Sequence, residues 1–259
     1  MSKQTTKPVA VVTGGRRGIG LGVATSLVAA GYDVAITGVG PVDTAKDTVS
    51  ELQAIGGGDA FYLQANISDL ANHEKTVAAI VERYGRIDCL VNNAGMASVV
   101  RGDFLALAPE NYDTIMATNL KGTVFFTQTI IKAMMSVPQT HARSIINITS
   151  VSAETSSPER LDYCISKAGL AAFSQGLALR LASDGISVFE VRPGIIRTDM
   201  TAGVTSKYDA LIADGLVPMR RWGEAGDIAS ICTALASGGF AFATGSVIDA
   251  GGGLSIPRL

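Results

Sequence analysis

Short apolar runs separated by longer stretches of helical spacing make up most of this chain. The runs, rich in valine and isoleucine, lie near 9–13, 33–37, 60–65, 87–92, 143–149, 186–191 and 245–249. Polar and apolar positions alternate little within them, the pattern of strands covered on both faces. Between them, apolar residues recur at helical spacing over about 18–30, 43–55, 70–84, 110–136, 162–183 and 225–237. This order predicts right-handed βαβ crossovers and an α/β, Rossmann-type fold: a doubly wound parallel sheet of about seven strands with helices on both faces. No linker divides the chain, so residues 1–259 are expected to form one domain. The stretch from 195 to 222 breaks the alternation. It follows the sixth strand, at the sheet edge where ligands bind, and an excursion of this length suits a substrate-binding lid. Met200, Leu211, Leu216 and Met219 are its candidates for covering a substrate.

The first strand changes the picture from architecture to chemistry. Val9-Ala10-Val11-Val12-Thr13 runs straight into Gly14-Gly15-Arg16-Arg17-Gly18-Ile19-Gly20, and then into Leu21, Val23, Ala24, Leu27 and Val28 at helical spacing. Strand, glycine turn and helix together predict a dinucleotide site. Glycines let the backbone approach a pyrophosphate, and a helix N-terminus offers unpaired N–H groups and a favourable dipole. Farther on, Tyr163 and Lys167 stand four residues apart on a predicted helix, so phenol and ammonium lie on one face. A cation about 4 Å from the phenol, at an effective dielectric near 20, is worth roughly 4 kcal/mol, or about three pKa units. That would bring Tyr163 from the usual phenol range towards neutrality. The spacing alone arises often by chance; the glycine loop is what gives it weight.

With these motifs the chain resembles the short-chain dehydrogenase/reductase family. Thr13-Gly14-x-x-x-Gly18-Ile19-Gly20 is similar to that family's cofactor loop, and Asn92-Asn93-Ala94-Gly95 to its structural motif after the fourth strand. Asn119, Ser150, Tyr163 and Lys167 match its catalytic tetrad, and Pro193-Gly194 with Thr198 matches the segment that closes over the nicotinamide. The match runs from about residue 7 to the C-terminus. The resemblance implies an enzyme that interconverts a carbonyl and a secondary alcohol by hydride transfer. Tyr163 would be the proton donor and acceptor, and Lys167 would lower its pKa and hold the nicotinamide ribose. Ser150 would bond the substrate oxygen, and Asn119 would hold a water linking Lys167 to solvent. It further implies cofactor contacts from Gly14, Gly18, Ile19, Gly20, Asn93, Ala94, Gly95, Pro193, Gly194, Ile196 and Thr198. No metal is needed.

Cofactor and substrate are less constrained. A carboxylate ending the second strand would favour NAD, but Gly38 occupies that place, with Asp43 the next carboxylate along the chain. Arg16 and Arg17 add positive charge where a 2′-phosphate would lie, so NADP(H) is the expected cofactor, with NAD(H) possible. Asn66 stands where the family commonly has aspartate, before Ile67 at the adenine-contacting position. The overall pattern is closest to 3-oxoacyl-carrier-protein reductases. Two features differ from them. Glu159-Arg160-Leu161-Asp162 precedes the tyrosine in place of Gly-Gln-x-Asn, and the positions of a basic carrier-protein docking patch hold His141 and Asp184. A sugar, polyol or other secondary-alcohol dehydrogenase therefore stays open, as does a cofactor-sensing or scaffold protein without turnover.

Composition sets the outer limits. The formal net charge is −2 with no basic block, which argues against nucleic acid or a basic membrane patch. No run of 18 apolar residues suits a membrane span, and the polar start 1–7 lacks a signal region. Cys89, Cys164 and Cys232 lack metal-type spacing and read as buried packing residues, although Cys164 flanks Tyr163. A reducing cytoplasm is expected. His73 and His141 read as surface residues. Surplus apolar positions on the helices 110–136 and 162–183, with the tail Leu254-Ser255-Ile256, point to a homotetramer, the assembly the resemblance implies.

Overall fold

The computed structural model describes residues 6–258, without the side chain of Val204; the polar stretch 1–5 lies outside the described residues. Seven strands form one parallel sheet in the order β3-β2-β1-β4-β5-β6-β7. They are β1 Val9–Thr13, β2 Asp33–Gly38, β3 Ala60–Gln64, β4 Cys89–Asn92, β5 Arg143–Ile148, β6 Ile186–Pro193 and β7 Val247–Ala250. This is the doubly wound α/β fold that the apolar pattern predicts. The strand β7 begins two residues late because Gly245 takes φ 86° in the turn before it.

Alternate residues of each strand feed opposite layers. Ala10, Val12, Val34, Ile36 and Ile146 pack under the helices α1 Gly18–Ala29, α2 Lys46–Ala54 and α8 Ala225–Ala236. Val9, Val11, Ala35, Leu90 and Ile145 pack under α3 His73–Tyr84, α5 Thr123–Met135 and α6 Leu161–Leu181. Both faces are dry, which is why the strands show so little polar alternation.

Two expectations need correction. The predicted helix 110–136 is α4 Pro109–Met116 and α5 joined by a π-helical turn, Ala117–Gly122. A Cβ on Gly122 would lie 2.4 Å from the Ile67 carbonyl oxygen, so a glycine is what lets this turn pass beneath the segment after β3. The stretch 195–222, which breaks the alternation in the sequence, carries a 3₁₀ turn Asp199–Val204 and α7 Thr205–Ala213. Helical spacing puts Tyr208 and Ile212 on one side, and Ile212, Val217 and Trp222 make a small core of their own. Met200, Leu211 and Met219, expected to cover a substrate, stay exposed. Finally, His73 is buried and not on the surface. Its Nε2 meets the Ile67 carbonyl oxygen at 2.8 Å and its ring stands edge-on to Phe126, 5.2 Å between centroids.

The helices α1 and α8 cross at Gly22, where a Cβ would lie 2.8 Å from Ala225 Cβ. Gly22→Val is expected to overpack that crossing and cost about 1–3 kcal/mol. Denaturant unfolding should show the loss, and an unchanged midpoint would rule out so tight a contact.

Candidate active site

The strand order reverses between β1 and β4, and the sequence-predicted residues gather at the carboxyl ends of the strands around that point. Thr13 closes β1. Its hydroxyl accepts the backbone N–H groups of Asn93 and Ala94, each at 3.0 Å. In return, the Asn93 amide donates to the carbonyl oxygens of Thr13 at 2.9 Å and Gly14 at 3.2 Å. Asn93 therefore acts on the loop from beneath. Gly14 takes φ 65°, and a Cβ on it would press to 3.1 Å from Ala94 Cα. A Cβ on Gly20 would lie 2.3 Å from the Gly14 carbonyl oxygen. Helix α1 starts at Gly18 with no side-chain cap on its first N–H groups. A glycine cradle leading to an uncapped helix N-terminus fits a dinucleotide pyrophosphate.

The two loop arginines part company. Arg16 turns towards the end of β2, donating to the Thr44 carbonyl oxygen at 3.3 Å. Its guanidinium carbon lies 3.8 Å from where a Cβ on Gly40 would be. Arg17 turns the other way and pairs with Asp199 at 3.2 Å, both side chains well exposed. Gly38 ends β2 against Tyr62, whose hydroxyl donates to the Gly40 carbonyl oxygen at 2.6 Å. Asn66 is exposed, and its Oδ1 accepts from Ser68 N at 3.1 Å and Ser68 Oγ at 2.9 Å; Ile67 beside it is buried. On the opposite side, Pro193 ends β6 and Gly194 crosses the tail, where its Cβ would lie 2.7 Å from Gly251 Cα. Thr198 faces Gly18 and caps the 3₁₀ turn that follows it. The Ile196 side chain is packed in the core, so any part it takes in binding falls to its backbone.

The four expected catalytic side chains converge. Ser150 follows β5 in extended conformation, and its Oγ accepts from Ser152 N at 3.1 Å. The Ser150 hydroxyl favours ionisation of the Tyr163 phenol. Tyr163 sits in the first turn of α6, where Asp162 Oδ1 accepts its backbone N–H at 2.7 Å and the Ser98 hydroxyl at 2.6 Å. Lys167, fully enclosed one turn later, donates to the Ile148 carbonyl oxygen at 2.9 Å. Asn119 lies on the π-helical turn, a distortion that recurs at functional sites. Its Oδ1 accepts from Met96 N at 2.8 Å, and its Nδ2 donates to the Met96 carbonyl oxygen at 3.0 Å and Ser166 Oγ at 3.1 Å.

The charge arrangement differs from the simple tyrosine–lysine pairing that the spacing suggested. The Lys167 ammonium lies 5.8 Å from the centre of the Tyr163 ring and is held by a carbonyl. Burial pushes the Tyr163 phenol above its ordinary 10; the Ser150 hydroxyl, Arg160 and Arg101 oppose that rise. Burial also pulls the Lys167 ammonium down to about 8, against the attraction of Glu190. Burial is thus the largest influence on both groups, and it disfavours the charged form of each.

Several contributing residues escaped the sequence reading. Glu190 and Arg192 share one face of β6, 1% and 5% exposed, and pair at 2.6 Å. Thr149 donates to the same Glu190 oxygen at 2.7 Å, and Arg192 also pairs with Glu154. Two charges at i and i+2 in an apolar strand were the available signal. Arg160 lies over the Tyr163 ring at 5.4 Å. Cys164 is buried, as the sequence suggested, with Thr155 O the partner of its Sγ. Trp222 closes the edge of the 195–222 segment, its indole N–H donating to Asp209 at 2.7 Å, its ring against Tyr208 and beneath Arg197. Among the described residues there is no metal-binding cluster, and no helix is long and apolar enough to cross a membrane.

Comparison with known proteins agrees with this geometry. A family model described as enoyl-(acyl carrier protein) reductase matches residues 14–255. The 3-oxoacyl-(acyl-carrier-protein) reductase FabG of Staphylococcus aureus is 35% identical over 246 residues, covering 95% of this chain and 97% of that one. A solved 3-oxoacyl-(acyl-carrier protein) reductase from Brucella melitensis, in complex with NAD, is 59% identical with a TM-score of 0.96, covering 99% of this chain and 100% of that one. A short-chain type dehydrogenase/reductase from Mycobacterium ulcerans is 30% identical with a TM-score of 0.90, covering 100% of this chain and 92% of that one. A nucleotide cradle at the strand crossover, with serine, phenol and ammonium converging beside it, belongs with these relatives: the chain is a nicotinamide-dependent oxidoreductase of the short-chain dehydrogenase/reductase family.

Proposed function

We propose that the chain reduces the 3-oxo group of an oxoacyl-type small molecule, and catalyses the reverse oxidation, as one unit with the 195–222 segment beside the substrate. The convergence of Ser150, Tyr163 and Lys167 next to the glycine cradle carries this reading. The nicotinamide, when bound, supplies or accepts the hydride. The remaining work falls to the chain. Ser150 donates to the carbonyl oxygen and fixes its direction, where negative charge develops. Tyr163 delivers its proton to that oxygen in reduction and takes it back in oxidation. Lys167 supplies positive charge to the same enclosure and reaches the nicotinamide ribose. A Cβ on Gly95 would lie 3.3 Å from Asn119 Oδ1 and 3.7 Å from Lys167 Nζ. The glycine leaves a gap between them that suits a bridging water, through which Lys167 is reprotonated.

The cofactor we propose is NADP(H), with NAD(H) also accepted. Gly38 presents no carboxylate to repel a 2′-phosphate, and Arg16 stands beside Gly40 to bind one. The NAD held by the Brucella relative supports the second cofactor. Asn66 and Ile67 would flank the adenine. At the positions of a carrier docking patch, His141 is bonded to the Thr6 carbonyl oxygen and Asp184 neutralises Arg180, so a free small molecule suits the surface better than an acidic carrier protein. Exposed Phe125, Ile165, Leu179 and Phe242 on and near α5, α6 and β7 support a homotetramer. Three free, buried cysteines suit a cytoplasmic protein.

Tyr163→Phe is expected to lower turnover by about 10²–10⁴ while cofactor affinity, read by fluorescence titration, changes less than about twofold. Substantial residual turnover would count against the proton role. Arg16→Ala should weaken NADPH by roughly tenfold or more and NADH far less, with Arg17→Ala showing no such selectivity. Equal losses for both cofactors would remove Arg16 from the phosphate site. Lys167 gives a pH signature. Its folded pKa near 8 lies below the unfolded 10.5, so between these values the unfolded chain binds more protons and the group's contribution to stability rises with pH. The stability of wild type minus that of Lys167→Met, from denaturant unfolding, should climb across that window. A flat difference would show that Lys167 is not held at depressed pKa.

A further inference from the structure

Two arginines near Tyr163 act on its phenol and, among the described residues, form no ion pair with a carboxylate. Arg160, half-buried just before α6, places its guanidinium carbon 5.4 Å from the centre of the Tyr163 ring, and its Nη2 donates to Ser152 Oγ at 3.4 Å. Arg101 stands on the loop after β4. The two loops are tied by the Gly102 N–H donating to the Glu159 carbonyl oxygen at 3.1 Å. Both arginines act on the phenol electrostatically, favouring its ionised form. Among the described residues neither forms an ion pair, although most of the chain's other arginines do. Together they line a narrow cleft with Val100, Phe104, Leu107 and Asp162. Three carboxylates line the same cleft without pairing with them: Asp162 Oδ1 accepts from the Ser98 hydroxyl and Tyr163 N, Asp103 accepts from Leu105 N, and Glu159 is exposed. Asp162 Oδ2 stays buried with no partner.

We propose that Arg101 and Arg160 form a carboxylate-recognising subsite, so that the substrate is a short 3-oxo acid in its free, ionised form and not the neutral thioester. The inference rests on the carbonyl-reduction reading above and narrows it. In a 3-oxo acid the carboxylate is two bonds from the reacting carbon. One molecule can then set its ketone oxygen between Ser150 and Tyr163 while its carboxylate meets the guanidinium pair. Guanidinium groups match carboxylates in shape and in charge-assisted hydrogen bonds. A thioester would leave the half-buried Arg160 charge without an anion, and sites built for a polar group discriminate strongly against substrates that lack it. In reduction, a hydride from the nicotinamide adds to the ketone carbon and the Tyr163 proton to its oxygen. The C=O π bond breaks, one C–H and one O–H bond form, the cofactor is oxidised, and the carboxylate is unchanged.

The test compares acetoacetate with methyl acetoacetate, its uncharged analogue, using wild type, Arg101→Gln, Arg160→Gln and Arg160→Lys. Wild type should favour the acid in kcat/KM. Each glutamine variant should lower the acid-to-ester ratio by roughly tenfold, and Arg160→Lys should restore part of it. An ester used as well as the acid by wild type, or a ratio that the variants leave unchanged, would overturn the subsite. Calorimetric titration of 3-hydroxybutyrate and its methyl ester into protein saturated with reduced cofactor separates this inference from the reading beneath it. Acid that binds more tightly than ester, and loses that advantage in Arg160→Gln, supports the subsite even without turnover; absent turnover would then refute carbonyl reduction alone. Equal binding of acid and ester, or binding of neither, overturns the subsite.

Discussion

Where β1 and β4 part, their backbone groups lose the partners that a sheet would supply, and the substitute for those partners determines everything built above. A buried donor or acceptor left unpaired costs about 1–3 kcal/mol. Here the side chains of Thr13 and Asn93 make four hydrogen bonds across the divide, to the N–H groups of Asn93 and Ala94 and the carbonyls of Thr13 and Gly14. The strands are thereby held a fixed distance apart beyond their last shared rung. The glycine loop inherits that spacing, because Gly14 rests on Ala94 and Gly20 rests on Gly14. A crevice of defined width follows from two short polar side chains on adjoining strands.

Charge is distributed unevenly around this crevice. Arg192 is held between Glu190 and Glu154, and removing one partner of such a buried pair costs about 3–5 kcal/mol. That cluster is therefore a fixed wall, tied by Glu190 to Thr149, the residue immediately before Ser150. Lys167 lies deeper, with a carbonyl as its hydrogen-bond acceptor and Glu190 as the carboxylate that acts on it. Arg101 and Arg160 act on the Tyr163 phenol and, among the described residues, form no ion pair. Positive charge near the phenol is thus less compensated than that of Arg192, and attracts anions to that side of the crevice.

Much of this was legible in the residues themselves. The sheet could be read because valine and isoleucine runs covered on both faces leave little ambiguity about period. The glycine loop and the tetrad could be read because their chemistry demands fixed residue types at fixed spacing. What stayed hidden depends on contacts between segments far apart in the chain. Nothing local says that Arg17 finds Asp199 while Arg16 turns to Thr44. His73 looked polar and exposed, yet the Ile67 carbonyl and the Phe126 ring give it a buried place. The π-helical turn at Asn119 is invisible to a periodicity of 3.6, since one extra residue per turn shifts the pattern too little over a single turn. The tyrosine–lysine electrostatics were misjudged for another reason. Spacing reports which groups share a face, whereas burial decides the cost of charging them.

Trp222 is the chain's single tryptophan, and it is placed in the segment beside the proposed substrate path. Its indole is fixed by Asp209, packed edge-on against Tyr208 and covered by Arg197. All indole emission from the protein therefore originates at one spot, with an acidic acceptor and a cation as immediate neighbours. The molecule carries a built-in optical reporter, and shifts in its colour or lifetime speak for that flap without any attached dye.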